Sequence, residues 1–474
     1  MVAAVGDLLA DACEHVTPVG TGKREPGPRP TVPEMSALLR PRPRAARRPR
    51  THLLRGLAVT GLAACSVALA APAASATARP PATVPAAAVR SAPAAAAASV
   101  SRLAVSFTVR NVNRSTFACA SDGKTYTVRG HLVGPSADLA GAPSAVTLYL
   151  HGLNFAEYLW QFTDVPGYDY ATDQAKAGQT SLIVDRLGYG ASDKPAGNAI
   201  CAGSRADIAH QMVQALRSGD YRVAGQQAPS FRHVALAGHS YGGQIAELEA
   251  YSFGDIDALA VVSYTDQGSS ALAASSSAFS AKACAAGGQP VAPGGPGGYA
   301  PFGNPAGAKA AVLNDATPVV AAATLPRLTL NPCGDMVPFA KVAALDLAHL
   351  GAITVPVLEI VGGGDQLFPA SAGRRQAALF TGSPAVDLVT VPGAGHAITL
   401  QRGHDAFTEG MRTWLESVDG FAGSPAGGVE TGIGDSGTSR PALLGGGLAA
   451  LAAAAGFGAI ARRRSTGARS DRSS

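Results

Sequence analysis

The stretch Val234-Ala-Leu-Ala-Gly238-His239-Ser240-Tyr241-Gly242-Gly243 constrains this chain more than any other part of it. A serine hydroxyl is a poor nucleophile until a base takes its proton and the backbone holds it clear of its neighbours. A tight strand-to-helix bend supplies that exposure by forcing the serine into a strained conformation, and glycines two residues to either side let strand and helix cross closely. Gly238 and Gly242 occupy those positions around Ser240. The pattern alone also describes an ordinary structural turn. Its context favours the elbow: Phe231 to Leu236 reads as a buried strand, and Gln244-Ile-Ala-Glu-Leu-Glu-Ala-Tyr251 reads as the helix that should follow.

Such an elbow needs a sheet around it, and the flanking sequence supplies one. Leu103-Ala-Val-Ser-Phe-Thr-Val109 and Tyr126-Thr-Val-Arg-Gly-His-Leu-Val133 alternate as paired antiparallel strands should. Ala145-Val-Thr-Leu-Tyr-Leu150, Ser181-Leu-Ile-Val-Asp185 and Leu259-Ala-Val-Val-Ser263 are short apolar runs of the kind buried on both faces of a sheet. Helical stretches lie between them, notably Ser204 to Arg217, and the alternation predicts an α/β domain with a mostly parallel sheet and helices on both faces. The rhythm breaks at Gln267. From there to about Leu350 the chain is rich in Ala, Ser, Gly and Pro, with little periodicity before Val319. A segment of that length within a compact domain is functional or disordered, and it reads as an insertion over the top of the sheet. Strands resume with Val355-Pro-Val-Leu-Glu-Ile-Val361 and Ala385-Val-Asp-Leu-Val-Thr-Val391, and an amphipathic helix from Ala406 to Val418 closes the domain.

Ser240 needs a base from a loop at the same edge of the sheet. His396 lies in Val391-Pro-Gly-Ala-Gly-His396, between the last strand and the last helix. Its imidazole needs a carboxylate to orient it and to stabilise its positive charge. Asp365 follows the penultimate strand in Val361-Gly-Gly-Gly-Asp365, and Asp266 is a second candidate after a middle strand. A lone His or Asp in a Gly-rich loop is usually solvated or caps a turn; Ser240, Asp365 and His396 in that order, each just past a strand end, argue for a triad. The tetrahedral intermediate also needs two backbone N–H groups aimed at its oxyanion. Tyr241 supplies one, and the loop His151-Gly-Leu-Asn154 supplies the other, with Leu153 the first choice and Asn154 the next. His239 reads as a space-filler beside the elbow. The remaining histidines form no metal-ligand pattern, no nucleotide-binding glycine spacing is present, and neither metal nor cofactor is implied.

The elbow, the His151-Gly152 loop, Asp185-Arg-Leu-Gly-Tyr-Gly-Ala-Ser192 and the Asp365 and His396 loops together resemble the α/β-hydrolase superfamily over roughly residues 101–420. The resemblance implies an eight-stranded sheet, a cap formed by residues 267–350, and a structural rather than catalytic role for Asp185 to Ser192. Members that open epoxides or remove halides carry Asp at the nucleophile position, and Ser240 argues against both. The expectation is a serine hydrolase acting on a small acyl substrate, carboxylic esters first. Leu153, Phe155, Tyr158, Leu159 and Trp160 either line the pocket mouth or form the core face of a helix. Amide or small-peptide cleavage and acyl transfer use the same machinery. A surface binding module is the reading from another class, and it has no need to keep the triad together.

The flanks read differently. Arg40 to Arg55 is basic, Gly56 to Ala71 is apolar, and Ala74-Ser-Ala76 is a small-residue cleavage site, the order of a secretory signal. Met35 is an alternative start, Arg47-Arg48 suggests twin-arginine export, and Leu62-Ala-Ala-Cys65 resembles a lipoprotein box. Residues 77–100 form an Ala/Pro-rich linker and 421–441 a Gly/Ser/Thr-rich one. Residues 442–461 carry no charged or hydroxyl side chain and precede Arg462-Arg-Arg464, which predicts a membrane anchor with a basic cytoplasmic tail at 462–474. A buried hairpin or an unstructured tail is the alternative, and Gly428-Val-Glu-Thr-Gly432 faintly resembles a sortase signal for the wall. The domain would then sit on the extracellular face of the membrane. The net charge of +5 comes from the two ends, so nucleic-acid binding is set aside. Four cysteines follow the leader and allow three pairings; Cys119 with Cys201 and Cys284 with Cys333 is preferred, because the second pair would staple the insertion, and free buried thiols are the alternative.

Overall fold

The computed structural model describes residues 99–423. Its strands are β1 (Val100–Arg110), β2 (Thr125–Pro135), β3 (Ala145–Leu150), β4 (Ser181–Asp185), β5 (Arg222–Val223), β6 (His233–His239), β7 (Ala258–Val262), β8 (Tyr299–Ala300), β9 (Asn331–Pro332), β10 (Val357–Gly362) and β11 (Val386–Val391). Nine of them form one sheet in the order β11-β10-β7-β6-β3-β4-β2-β1-β5. β1 and β2 pair antiparallel along their full lengths, and β2 pairs antiparallel with β4. From β4 through β3, β6, β7 and β10 to β11 every neighbour runs parallel.

The sheet therefore has nine strands where eight were expected. The additional strand, β5, joins only Val105 with Val223 and Ser106 with Arg222 at the outer edge. Two residues are too few to leave a period in the sequence, so pairing with β1 is what makes this segment a strand. β4 and β7 are buried at every residue, as is β6 after His233, so both of their faces are covered. Helices Ala202–Ser218 and Tyr241–Phe253 pack on one another, as do Tyr170–Lys176 and His404–Ser417. β11 stands at the edge with Val386 and Leu388 exposed.

The insertion is more ordered than its composition suggests. It contains helices Ala271–Ala285 and Phe339–His349, shorter helical turns, and an antiparallel ribbon of β8 with β9. Helix Ala271–Ala285 buries Ala273, Ser276, Ser280 and Cys284, spaced three and four apart on one face. Those side chains are small and partly polar, so the buried face carries no hydropathy contrast and the period is invisible in sequence. Disulfides join Cys119 to Cys201 and Cys284 to Cys333. The second ties helix Ala271–Ala285 to the turn that precedes helix Phe339–His349.

The expected signal segment, most of the first linker, the second linker beyond Gly423 and the span at 442–461 lie outside the described residues. Among the described residues no helix is long and apolar enough to cross a membrane.

Candidate active site

Parallel strands bring their carboxyl ends to one edge of a sheet, so the loops that leave β3, β6, β10 and β11 meet there. Ser240 directly follows β6 with φ 54° and ψ −124°, a conformation that costs a non-glycine residue of order 1–3 kcal/mol. Close packing holds it. A Cβ at Gly238 would stand 2.1 Å from the Gly242 carbonyl oxygen, and one at Gly242 would stand 2.3 Å from the Leu150 carbonyl oxygen. Only glycine fits either position, and the strand and helix can cross because both are glycine.

The three residues singled out in the sequence are in contact. His396 Nε2 lies 2.9 Å from Ser240 Oγ, and His396 Nδ1 lies 2.9 Å from Asp365 Oδ2. Asp365 Oδ1 accepts the backbone N–H groups of Leu367 at 2.7 Å and Phe368 at 3.0 Å. With Nδ1–H donating to Asp365, the Nε2 lone pair faces the serine hydroxyl. Ser240 is 9% exposed, Asp365 8% and His396 2%, so the chain of contacts is nearly dry and most open at the serine. Asp266 is elsewhere: its carboxyl accepts the Tyr264 hydroxyl, and Asp365 is the acid on His396.

His239 does more than fill space. Burial, followed by the nearby His396, holds its pKa well below the usual histidine value and keeps it neutral. Its Nε2–H donates to the His396 carbonyl at 2.9 Å, which fixes the backbone that carries the His396 imidazole.

Tyr241 opens helix Tyr241–Phe253, where the first N–H groups have no partner within the helix and the dipole favours negative charge. The loop after β3 lies against it: a Cβ at Gly152 would be 2.8 Å from Ser240 Cβ. The Gly152 carbonyl is held from behind, accepting from His151 Nδ1 at 2.8 Å and from Arg186 Nη2 at 3.2 Å. In a planar trans peptide the following N–H points the opposite way, so these two donors set the direction of the Leu153 N–H. Asn154 is not free for this role, because its N–H donates to Asn331 Oδ1 at 2.7 Å. Arg186 itself is buried, lies 3.5 Å from Asp335 of the insertion, and stands over the rings of Tyr189 and Tyr241.

A profile of the Alpha/beta hydrolase family matches residues 147–409, more than half of the chain. The chain belongs to the alpha/beta hydrolase family. No curated protein matches it in sequence. Among solved structures it is similar to a thermophilic esterase from Thermogutta terrifontis with malate bound, at 18% identity and a TM-score of 0.46, over 66% of this chain and 99% of that one. It is also similar to a hydrolase from Pseudomonas aeruginosa at 20% identity and a TM-score of 0.44, over 65% of this chain and 98% of the other. A third is the enol-lactonase from Burkholderia xenovorans, at 17% identity and a TM-score of 0.44, over 63% and 98% of the two chains.

In this hydrolase the insertion shapes the space in front of Ser240. A cavity of about 550 Å³ is lined by Ser240, Leu153, Leu367 and Phe368 from the main domain, and by Ala278, Phe339 and Leu347 among others from the insertion. Its wall is mostly apolar. Of the aromatic stripe after β3, Leu153 alone lines this cavity; Phe155, Leu159 and Trp160 have no exposed surface and Tyr158 is 6% exposed, so the stripe is core. A second cavity of about 500 Å³, bounded by the charged residues Arg102, Glu157, Asp185 and Arg327 among others, includes none of Ser240, Asp365 and His396. Asp185 has the structural task expected of its segment, accepting the N–H groups of Glu157 and Ala191. Arg186, next to it, is what the sequence reading missed. The signal available was a charged side chain at the end of a buried strand, where burial demands a specific partner.

Proposed function

We propose that this hydrolase cleaves carboxylic esters of small molecules through an acyl-enzyme, on the outer side of the cell membrane. Ser240 Oγ attacks the acyl carbonyl while His396 Nε2 takes the hydroxyl proton, and Asp365 stabilises the imidazolium that forms. The Tyr241 and Leu153 N–H groups receive the charge that develops on the carbonyl oxygen. As the tetrahedral adduct collapses, His396 returns the proton to the leaving alcohol, and the acyl group stays on Ser240. Water deprotonated by His396 then attacks the same carbon, releasing the acid and restoring the serine.

The observation that carries this reading is the continuous relay of two 2.9 Å contacts from Asp365 to Ser240, opening into an apolar cavity of about 550 Å³. Such a wall favours an acyl group with a hydrocarbon chain over a charged or peptide-like one. The test is the intact mass of the protein after exposure to a fluorophosphonate, alongside Ser240→Ala. One adduct on the parent and none on the variant is expected, followed by ester hydrolysis whose kcat/KM rises with chain length and then falls once the cavity is full. A folded parent that takes no adduct would refute the mechanism.

Export rests on the order of basic, apolar and small residues from Arg40 to Ala76, and anchoring on the apolar 442–461 stretch with arginines just beyond it. Fractionation of the producing cells tests both. Full-length protein found only in the soluble medium would refute the anchor.

A further inference from the structure

The loop after β3 ends on a residue with an uncommon backbone. Asn154 has φ 68°, in the left-handed region that asparagine enters more readily than most non-glycine residues. It directly follows Leu153, which lines the cavity with Ser240. At Asn154 the chain turns away from the serine toward the buried stripe that begins at Phe155.

Each backbone and side-chain polar group of Asn154 is bonded, and every partner belongs to the insertion. Its N–H donates to Asn331 Oδ1 at 2.7 Å, and its carbonyl accepts the Thr329 N–H at 2.8 Å. Its Oδ1 accepts from the Phe302 N–H at 3.1 Å and from Asn331 Nδ2 at 2.8 Å, and its Nδ2 donates to the Phe302 carbonyl at 3.2 Å. Asn331 has no exposed surface; its Nδ2 also donates to the Ala300 carbonyl, and its Oδ1 also accepts the Tyr189 hydroxyl. Neither amide can be turned over, because a backbone N–H would then meet an NH2 group. Phe302 lies just past β8 and Asn331 lies in β9, so the two arms of the ribbon hold one residue of the main domain between them.

Two planar peptides meet at the Leu153 Cα, and only φ and ψ of that residue vary between them. The Gly152–Leu153 plane is held where the Gly152 carbonyl accepts from His151 and Arg186. The Leu153–Asn154 plane is held where the Asn154 N–H meets Asn331. Pinning both planes fixes the backbone of Leu153. We propose that Asn154 and Asn331 are positioning residues of the oxyanion hole, and that docking of the insertion through the β8–β9 ribbon sets the direction of the Leu153 N–H. The insertion then has two separate tasks: its helices shape the cavity, and its ribbon completes the hole. This inference rests on the serine-hydrolase reading with Leu153 as an oxyanion donor, and adds that the hole depends on the insertion.

The experiment uses the full-length chain and p-nitrophenyl esters of graded acyl length. Asn331→Leu removes both polar groups of the amide; kcat should fall about ten- to a hundredfold, since outright loss of an oxyanion donor costs about 10²–10³. KM and the preferred acyl length should stay those of the parent. An alkyl trifluoromethyl ketone reads the hole directly. Ser240 Oγ bonds to its carbonyl carbon, the hydroxyl proton passes to His396, and the carbonyl electron pair becomes the oxyanion. Its inhibition constant should weaken by the same factor as kcat/KM. A raised KM or a shifted preferred length, with that inhibition constant unchanged, would mark a cavity role and overturn the inference. Asn154→Ala and Asn154→Gly isolate the backbone. Both lose the same three side-chain bonds, but only alanine bears the strain of the left-handed conformation, so glycine should keep about five- to thirtyfold more kcat. Near-ultraviolet circular dichroism and the unfolding midpoint show which variants fold, and should Asn331→Leu fail to fold, the Asn154 pair decides. Parent-like kcat in folded Asn331→Leu, or equal kcat in the folded Asn154 pair, would overturn the inference and leave the hydrolase reading intact. A folded parent that takes no fluorophosphonate and cleaves no ester would overturn that reading, and the inference with it.

Discussion

Replacing Asp365 by asparagine should stop the reaction more completely than the loss of one charge suggests. In the wild-type protein Asp365 Oδ1 accepts two backbone N–H groups, at 2.7 and 3.0 Å, while Oδ2 accepts His396 Nδ1–H at 2.9 Å. An asparagine can keep its oxygen toward His396 only by turning its NH2 onto Leu367 N–H and Phe368 N–H, donor against donor. Two hydrogen bonds outweigh one, so the amide oxygen goes to the backbone and the NH2 to Nδ1. Nδ1 must then carry the lone pair, which places the imidazole proton on Nε2 facing Ser240 Oγ. A histidine in that tautomer has no site for the serine proton. The corresponding change in a serine protease triad lowers kcat about 10⁴-fold, or about 5.5 kcal/mol of transition-state stabilisation, and a similar loss of kcat/KM is expected here. The assay is initial-rate hydrolysis of an activated ester at neutral pH, with the unfolding midpoint and near-ultraviolet circular dichroism as controls for folding. A folded Asp365→Asn enzyme within tenfold of wild type would refute both the tautomer argument and the role given to Asp365.

Arg186→Met should lower kcat by about ten- to a hundredfold with little change in KM, since losing an oxyanion donor outright costs about 10²–10³ and this change only frees its direction; Asp335 keeps its two-pronged pairing with Arg205, so the variant should fold, and an unchanged kcat would dissociate Arg186 from the Leu153 N–H. Cys284→Ser with Cys333→Ser opens a loop of 49 residues, worth up to about 4 kcal/mol by chain entropy; calorimetry should show the lower midpoint and kinetics a raised KM, because both walls of the cavity come from the elements this bond joins. Burial, followed by the hydrogen bond to Asp255, holds the Glu249 carboxyl well above the usual carboxylate range. A raised folded pKa contributes stability that is fully present below the unfolded value of about 4.3 and is lost as pH rises through the folded value. Glu249→Gln should therefore gain stability on wild type as pH rises from 6 to 9, and parallel midpoint curves for the two proteins would refute the assignment.

Much of the site was legible because its signals are local. Gly238 and Gly242 flank Ser240 within one turn, and each strand that carries a site residue ends in a Gly-rich loop that names the position of Asp365 or His396. Other features have no local signal. The choice of Leu153 over Asn154 depends on Asn331, far along the chain, which takes the Asn154 N–H. Helix Ala271–Ala285 was hidden because its buried face is built from Ala and Ser. The contact of Arg186 with the Gly152 carbonyl depends on the back of a peptide bond in another loop, and the meeting of Glu247, Asp266 and Asp346 depends on an insertion helix folding onto the elbow helix.

The chain's own order of residues was enough to locate a mostly parallel sheet, a strained serine at a strand-to-helix turn and the loops that meet it, because strand periods, glycine turns and strand-end loops are set by neighbours in sequence. Which carboxylate reaches His396, and which backbone N–H of the loop after β3 is already taken by another partner, were settled by folding. Those outcomes depend on distances between segments scores of residues apart, and close packing fixes such distances after the chain has folded.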